Sequence, residues 1–509
     1  MKHFEKSLGK NKFIILSLAA IFIVAIIVRF AYFPKNVYFS YDQARDFYFA
    51  EDILKGDLRI IGPPSAASDK LFPGPLSLYI YAFIQFLFGK DPETYSIFFR
   101  LYNALGIFLV YLIGSKLFDK KVGVLSASLY AFSYEQSQYT LLMSHQPLAV
   151  LSVLIMYLGL TMLLFEKKVK GLIVAALGLG LSIQFHYVYI FIIPSIFALL
   201  YVLRKQIPKL KTKNILTAFI LFSVCLSTYV VSELKFNFRF ITTLFSSSAN
   251  SKLYLGEAFY ATNRFVYDSF LADYKYTIYV LFLIMVVFAY FIFRTKFKEK
   301  GMFLFLWFVG GILPSLLSGT KGYYYSASAS VSLLILFSII IVFVYRSNKV
   351  LACVLFLAVL FNNYYLMLNQ NPKGPNLEIV IQPGMLLPAE KKAIDYIYQN
   401  AKQKSFSVNA LSVPLNINTT WSYLFEWYGK ENYGYIPIWS VKPAEGFPGN
   451  LAYESSRSKL PDTQFVIIEP LNGIRDVDKA KFFAEESYFT KIVEEKEFGT
   501  ITVQKREKI

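Results

Sequence analysis

Pro75-Leu76-Ser77-Leu78-Tyr79-Ile80-Tyr81-Ala82-Phe83-Ile84-Gln85-Phe86-Leu87-Phe88 is a 14-residue apolar run whose reading fixes how the whole chain is threaded. It is shorter than the ~20 residues that a membrane-spanning helix requires, and nearer the length of a re-entrant or interfacial segment. Other apolar runs, centred near residues 23, 107, 128, 156, 177, 195, 223, 285, 310, 337 and 358, suit spans. The basic clusters between them arbitrate. With a cytoplasmic N-terminus and a non-crossing 75–88, five clusters face inward: Lys116/Lys120/Lys121, Lys167/Lys168/Lys170, Arg204/Lys205/Lys209/Lys211/Lys213, Arg294/Lys296/Lys298/Lys300 and Arg346/Lys349. That is the positive-inside arrangement; if 75–88 crossed, every one of these clusters would face outward. The sequence therefore predicts a polytopic α-helical membrane protein with about eleven transmembrane helices, 75–88 lying along the outer surface and the C-terminal region outside.

Composition agrees. The 509 residues are 55% hydrophobic, 18% aromatic and only 17% charged, unlike a soluble domain. A net charge of +18 would suit nucleic acid, yet the charges sit in short clusters between apolar runs and form no basic domain, so no nucleic-acid partner is expected. Cys225 and Cys353 both lie in apolar runs and read as small buried residues rather than a disulfide. Lys2, Lys6, Lys10 and Lys12 precede the apolar run Phe13 to Phe33, which is too long for a signal peptide and reads as a retained first span.

Two units follow: a transmembrane unit, 1–368, with an outer loop at 34–96, and an extracytoplasmic α/β domain, 369–509. In the second, Ala389 to Lys402 and Thr419 to Tyr428 read as helices. Phe406 to Leu411 and Gln464 to Ile468 read as strands, and Lys491 to Gln504 as a hairpin around Phe498-Gly499. The remaining outer elements are turns at Glu135 to His145, Gln184 to Tyr187 and Gly319 to Tyr325, plus a long loop from Ser232 to Lys275. They carry His145 and His186, so polar chemistry gathers on one face of the membrane.

Charge held at a membrane surface is costly, which makes the acidic start of the first loop, Ser40-Tyr41-Asp42-Gln43-Ala44-Arg45-Asp46, a functional candidate. Ser40 and Gln43 fit a capping box, and Ala44, Phe47, Ala50 and Leu54 recur at helical spacing, predicting an amphipathic helix on the outer leaflet. Asp42 falls in its first turn, where the helix dipole favours a carboxylate, with Arg45 and Asp46 on the same face. On pattern alone Asp42 is equally a first-turn acid paired with Arg45, Asp46 a support for Arg45, and Glu51, Asp52 and Asp57 a solvated face.

A family resemblance bears on this. Tyr41-Asp42-Gln43-Ala44-Arg45-Asp46, Asp52-Ile53-Leu54-Lys55-Gly56-Asp57, Ile61-Gly62-Pro63-Pro64 and Gly74-Pro75-Leu76-Ser77-Leu78-Tyr79 resemble the first outer loop of bacterial membrane glycosyltransferases. These are the enzymes related to protein O-mannosyltransferases and to the aminoarabinose transferase of lipid A. Phe88-Gly89-Lys90-Asp91-Pro92, Arg100-Leu101, Gln184-Phe185-His186 and Ser232-Glu233-Leu234-Lys235-Phe236 are further echoes. The resemblance implies the large C-type membrane glycosyltransferase fold in the cytoplasmic membrane. It implies transfer of a hexose or pentose from a polyprenyl-phosphate carrier to a protein, lipid or envelope glycan on the outer face. Asp42 matches the family's catalytic acid. Two departures stand out: Gln43 replaces a second acid, and Met143-Ser144-His145-Gln146-Pro147 stands where another aspartate is common.

Sugar on a lipid phosphate already has a competent leaving group, since a phosphate monoester has a second pKa of about 6. The reaction then needs a base, which Asp42 suits, and cations for charge developing on phosphate, which direct displacement with inversion would produce. Candidates for the cations are Arg100, Lys235, Arg239 and Lys321, each equally readable as an interfacial snorkelling side chain. His186 is expected at the donor site, His145 and Gln146 near the acceptor, and Glu233 either lining the site or paired with Lys235. Nothing shows metal-ligand spacing, although Asp42 and Asp46 could share a divalent cation. The rival readings are a transporter or flippase of lipid-linked sugars, which would expect inverted repeats and mid-membrane charges, and a non-catalytic lipid-binding subunit.

Overall fold

A computed structural model gives the structure of the protein and describes residues 2–64, 70–249, 253–319, 325, 329–376, 382–449 and 451–509. Among these, seven helices are long and apolar enough to cross a membrane: Lys12–Phe30, Pro92–Leu117, His145–Leu164, Tyr274–Arg294, Lys298–Ser318, Ala329–Ser347 and Lys349–Lys373. An eighth candidate is the pair Thr212–Cys225 and Ser227–Lys235, bent by 58°. Shorter helical stretches, Lys120–Ala131, Lys170–Phe185 and Tyr187–Val202, stand at the other expected spans. The chain is a multi-pass membrane protein. The decisive run 75–88 is a 13-residue helix, Leu76–Phe88, packed against helices Tyr41–Leu54 and Pro92–Ala104.

Small residues set the closest helix contact. A Cβ on Gly159 would lie 2.3 Å from the Ala175 nitrogen, and one on Gly178 2.3 Å from the Met156 nitrogen. Helices His145–Leu164 and Lys170–Phe185 thereby approach backbone to backbone, the packing that gains most where lipid offers no hydrophobic drive. A buried polar belt ties other helix ends together. Arg29 donates to Asn103 Oδ1 (3.0 Å) and to the carbonyls of Tyr130 and Ala131. Asn36 donates to the Asn371 carbonyl (3.0 Å), and Gln138 to Asn371 Oδ1 (2.7 Å).

The C-terminal unit is a five-stranded sheet of order β2-β1-β3-β5-β4, with β1 Ser407–Leu411, β2 Ile438–Trp439, β3 Thr463–Ile468, β4 Thr490–Phe498 and β5 Ile501–Lys508. β2 and β3 flank β1 in parallel, and β5 runs antiparallel to both β3 and β4. The expected helix near 389–402 is Leu387–Ala401, and the expected strands and hairpin are present. Helix Asp476–Phe489 was not anticipated, because its charged faces carry no clear apolar stripe.

This unit docks directly on the first loop. Phe39 N–H donates to the Met385 carbonyl (3.1 Å) and Leu387 N–H to the Val37 carbonyl (2.8 Å). Tyr423 OH reaches the Lys90 carbonyl (2.6 Å), and Lys391 pairs with Glu93 (2.7 Å). Segments so bonded lie on one side of the membrane.

Several expectations need correcting. Helix Tyr41–Leu54 does not lie on a leaflet: Ala44, Arg45, Asp46, Phe47 and Ala50 are buried, and the helix is held between Leu76–Phe88 and the C-terminal helix Thr419–Leu424. Burial of aromatic area, with Phe47 stacked on Tyr95 at 3.8 Å, outweighs membrane contact. The turn at 135–145 contains a buried helix, Tyr134–Leu141, and the loop 232–275 is largely helical, with Arg239–Ala249 and Leu255–Ser269. Glu51 bonds Lys55 and Lys90 rather than only solvent, and Cys353 is exposed on the helix surface, not buried.

Candidate active site

Ser40 is the N-cap of helix Tyr41–Leu54, and its N–H and hydroxyl both donate to Gln43 Oε1 (3.2 and 2.9 Å). Gln43 Nε2 in turn donates to the Met143 carbonyl (3.1 Å), fastening the helix start to the segment just before helix His145–Leu164. Sequence reasoning saw the capping box but could not see this second bond. It makes Gln43, the residue that replaces an acid, a bracket between two loops.

Asp42 projects from the first turn with its side chain 61% exposed, and Arg45 NH1 holds its Oδ1 at 2.6 Å. Arg45 itself is buried, lies 5.3 Å from the Tyr41 ring centroid, and grips Asp46 through Nε (2.8 Å) and NH2 (2.7 Å). Burial pushes the Asp46 carboxyl up to about 6 against the pull of Arg45, and the two neighbouring carboxylates keep Arg45 protonated. The result is a bonded Asp46–Arg45–Asp42 chain, whose inner pair fixes the guanidinium that orients the outer carboxylate. The guanidinium bonds both aspartates.

His145 begins helix His145–Leu164 after its N-cap Ser144, whose hydroxyl bonds Gln146 Oε1. Its ring stacks on that of His186 with centroids 5.3 Å apart and planes 5° from parallel. The His186 ring also packs on Tyr187 (4.5 Å) and Tyr325 (4.8 Å). Its Nδ1 accepts the Val188 N–H (3.1 Å), so the ring proton of the neutral form sits on Nε2. The two histidines were expected at separate subsites; the fold makes them one stacked pair.

A cavity of about 110 Å³ opens nearby, lined by Lys70, Phe72, Tyr229, Glu233, Arg239 and Phe240 among others. Tyr229 closes its floor by donating to the carbonyls of Phe72 (3.3 Å) and Ile183 (3.2 Å). Gly74 must be glycine, because a Cβ there would lie 2.6 Å from the Gln184 carbonyl oxygen. Rings run from the cavity to His145: Phe240 to Tyr187 (5.6 Å), Tyr187 to His186, and His186 to His145. The first loop is tied to the segment just before His145 by the Gln43–Met143 bond.

Asp42, Arg45 and Asp46 thus form one bonded cluster, His145 and His186 one stacked pair continuous with Tyr187 and Phe240, and Glu233 and Arg239 line the cavity. Other expected cations do not join them. Arg100 is fully buried and committed to Ser96 Oγ, the Arg29 carbonyl and Asn36 Oδ1, because the polar belt needs its fork. Lys235 is exposed, lies over the Phe236 ring at 5.7 Å and does not line the cavity. Glu233 accepts two backbone N–H groups and shows no ion pair with Lys235. Lys321, like Tyr323 and Tyr324, lies outside the described residues. Lys70 was missed: it follows a Ser/Ala-rich stretch with no motif, and only the fold brings it to the same cavity as Arg239.

Residues 73–231 match the family described as dolichyl-phosphate-mannose-protein mannosyltransferase. No curated protein sequence matches the chain. Among solved structures, ArnT from Cupriavidus metallidurans bound to undecaprenyl phosphate is similar with a TM-score of 0.60 at 10% identity, covering 97% of this chain and 98% of that one. Its apo state is similar at TM-score 0.60 and 10% identity, with 98% of both chains covered. The archaeal oligosaccharyltransferase AglB from Archaeoglobus fulgidus, in complex with an inhibitory peptide and a dolichol-phosphate, reaches a TM-score of 0.47 at 12% identity, over 93% of this chain and 71% of that one. The chain is thus a multi-pass membrane protein with an ArnT-like fold, similar over residues 73–231 to the family described as dolichyl-phosphate-mannose-protein mannosyltransferase.

Proposed function

We propose that this chain transfers a sugar from a polyprenyl-phosphate carrier to a hydroxyl-bearing acceptor outside the cytoplasmic membrane. The observation that carries the reading is an exposed carboxylate held by Arg45 at the start of the first loop, together with a cavity lined by Lys70 of that loop and by Arg239. The matched mannosyltransferase family and the undecaprenyl phosphate bound by ArnT support a lipid-phosphate donor.

In the proposed step, Asp42 takes the proton from the acceptor hydroxyl while its oxygen bonds to the anomeric carbon. The bond from that carbon to the phosphate oxygen breaks, its electron pair leaves on the lipid phosphate, and the anomeric centre inverts. Lys70 and Arg239 balance the charge that grows on phosphate, the stabilisation such sites supply best when water is excluded. Oδ1 of Asp42 is engaged by Arg45, so the second carboxylate oxygen is the one outside that bond. The test is sugar transfer by purified protein in liposomes supplied with polyprenyl-phosphate sugars, read with mass spectrometry of envelope glycans and glycoproteins from cells with and without the protein. Unchanged glycans together with no turnover on any such donor would sink the reading.

The topology is also proposed: N-terminus cytoplasmic, first loop and C-terminal unit outside. Cysteines introduced beside Lys90 and at Ser458, both at exposed positions, are expected to react with a membrane-impermeant maleimide in intact cells. Protection of both reverses the orientation, and protection of one alone contradicts the bonded docking of the two regions.

A further inference from the structure

Between helices Ser227–Lys235 and Arg239–Ala249, the chain makes a three-residue turn. Asn237 and Phe238 are consecutive left-handed residues, with φ of 52° and 57°. Asparagine tolerates that region because its short side chain bonds locally, whereas a bulky phenylalanine there is a strained outlier. Strain of this kind persists only where the surroundings over-determine it.

The surroundings here are one side chain. Glu233 is 6% exposed, and its two carboxylate oxygens divide two orphan N–H groups of the next helix between them. Oε1 accepts from Phe240 (3.1 Å) and Oε2 from Ile241 (3.0 Å). The Glu233 carbonyl also accepts the Phe238 N–H (2.8 Å), so one residue holds the turn from both its backbone and its carboxylate. A carboxylate across a helix start is favoured by both the free N–H groups and the dipole.

The helix start held in this way carries Arg239 and Phe240 into the cavity wall. Phe240 packs on Tyr229 (5.3 Å) and Tyr187 (5.6 Å), the first rings of the path to His186. Phe238, by contrast, is 52% exposed and supplies no packing that would explain its conformation.

We infer that Glu233 is a positioning residue for the donor phosphate: its carboxylate locks the strained 236–238 turn and so sets Arg239 and Phe240 at the cavity. This rests on the proposed donor chemistry and adds to it a residue that acts without touching the substrate.

The probe is undecaprenyl phosphate, whose binding to the detergent-purified full chain is followed by native mass spectrometry, alongside donor kinetics. Glu233→Ala is expected to weaken binding and raise the donor KM on the order of tenfold, the scale of one misplaced charged contact, with kcat at saturation nearly unchanged. Glu233→Gln, which keeps an oxygen for one of the two N–H groups, is expected to fall between. Arg239→Gln is expected to weaken binding similarly, and Glu233→Ala added to it to cost little more, because the second change then acts through a side chain already gone. Phe238→Gly, free to adopt positive φ, is expected to restore part of the affinity lost in Glu233→Ala. Unaltered affinity in Glu233→Ala, or full additivity with Arg239→Gln, overturns the inference while leaving the donor reading intact. Should Glu233→Ala not fold, Glu233→Gln carries the same comparison. Failure of the unaltered protein to bind undecaprenyl phosphate removes both.

Discussion

Asp42→Asn is expected to abolish sugar transfer, a loss of roughly 10²–10⁴-fold in kcat, which is what removing a general base costs. The substitution keeps shape and a hydrogen-bonding oxygen but cannot take up a proton. Protein yield and thermal stability should change little. The side chain is 61% exposed, and its pairing with Arg45 is that of a half-solvated ion pair, worth at most about 1 kcal/mol. Asn at this position also remains compatible with a helix first turn. The measurement is single-turnover transfer from a labelled polyprenyl-phosphate sugar, with membrane insertion checked in parallel. Turnover at the unaltered rate in Asp42→Asn would assign the chemistry to another group and reduce Asp42 to a first-turn acid.

Arg45→Met should be the most destabilising single change in the first loop. It strips the cation that, among the described residues, pairs with Asp46, whose side chain is 2% exposed, and an unpaired buried carboxylate costs about 3–5 kcal/mol. It also frees Asp42 to wander, so activity falls with stability. Arg45→Lys should rescue little, since one ammonium cannot span Asp42 and Asp46 as the guanidinium fork does. The pH dependence separates lost charge from lost packing. Burial already lifts Asp46 to about 6 in the folded state, above the ordinary 3.8 of an aspartate. A raised folded value means that the folded protein keeps a proton the unfolded chain has lost, so this contribution is fully present below about pH 4 and disappears as pH rises through about 6. Without Arg45 the folded value climbs further, and the deficit of Arg45→Met should widen steadily from pH 5 to pH 8 in tryptophan-monitored melting. A deficit that is flat with pH would mean that packing of the Arg45 stem, not its charge, is what the helix needs.

The sequence by itself determined what depends on local order and on the bilayer. Run length together with the Lys and Arg clusters sufficed for the helical, many-crossing architecture and for keeping Leu76–Phe88 short. Ser40, Gln43 and Asp42 announced a helix start, because capping involves neighbours three residues apart. Strand alternation and the Phe498-Gly499 turn announced the end of the C-terminal sheet. Tertiary structure decided everything in which distant segments share a partner. Gln43 reaches Met143 across 100 residues, His145 finds His186, and Lys70 comes to face a cavity shared with Arg239. Arg100 went the other way: its charge suggested phosphate, but the fold spends its donors on Ser96, Arg29 and Asn36. Glu233 likewise sits within a motif that hinted at ligand contact, and only the positions of two backbone N–H groups reveal that it also holds a helix start at the cavity. The division has a physical cause: periodicity and capping are set by sequence spacing, whereas a polar side chain's partner is set by which helices pack together, and many pairings are compatible with one pattern of apolar residues.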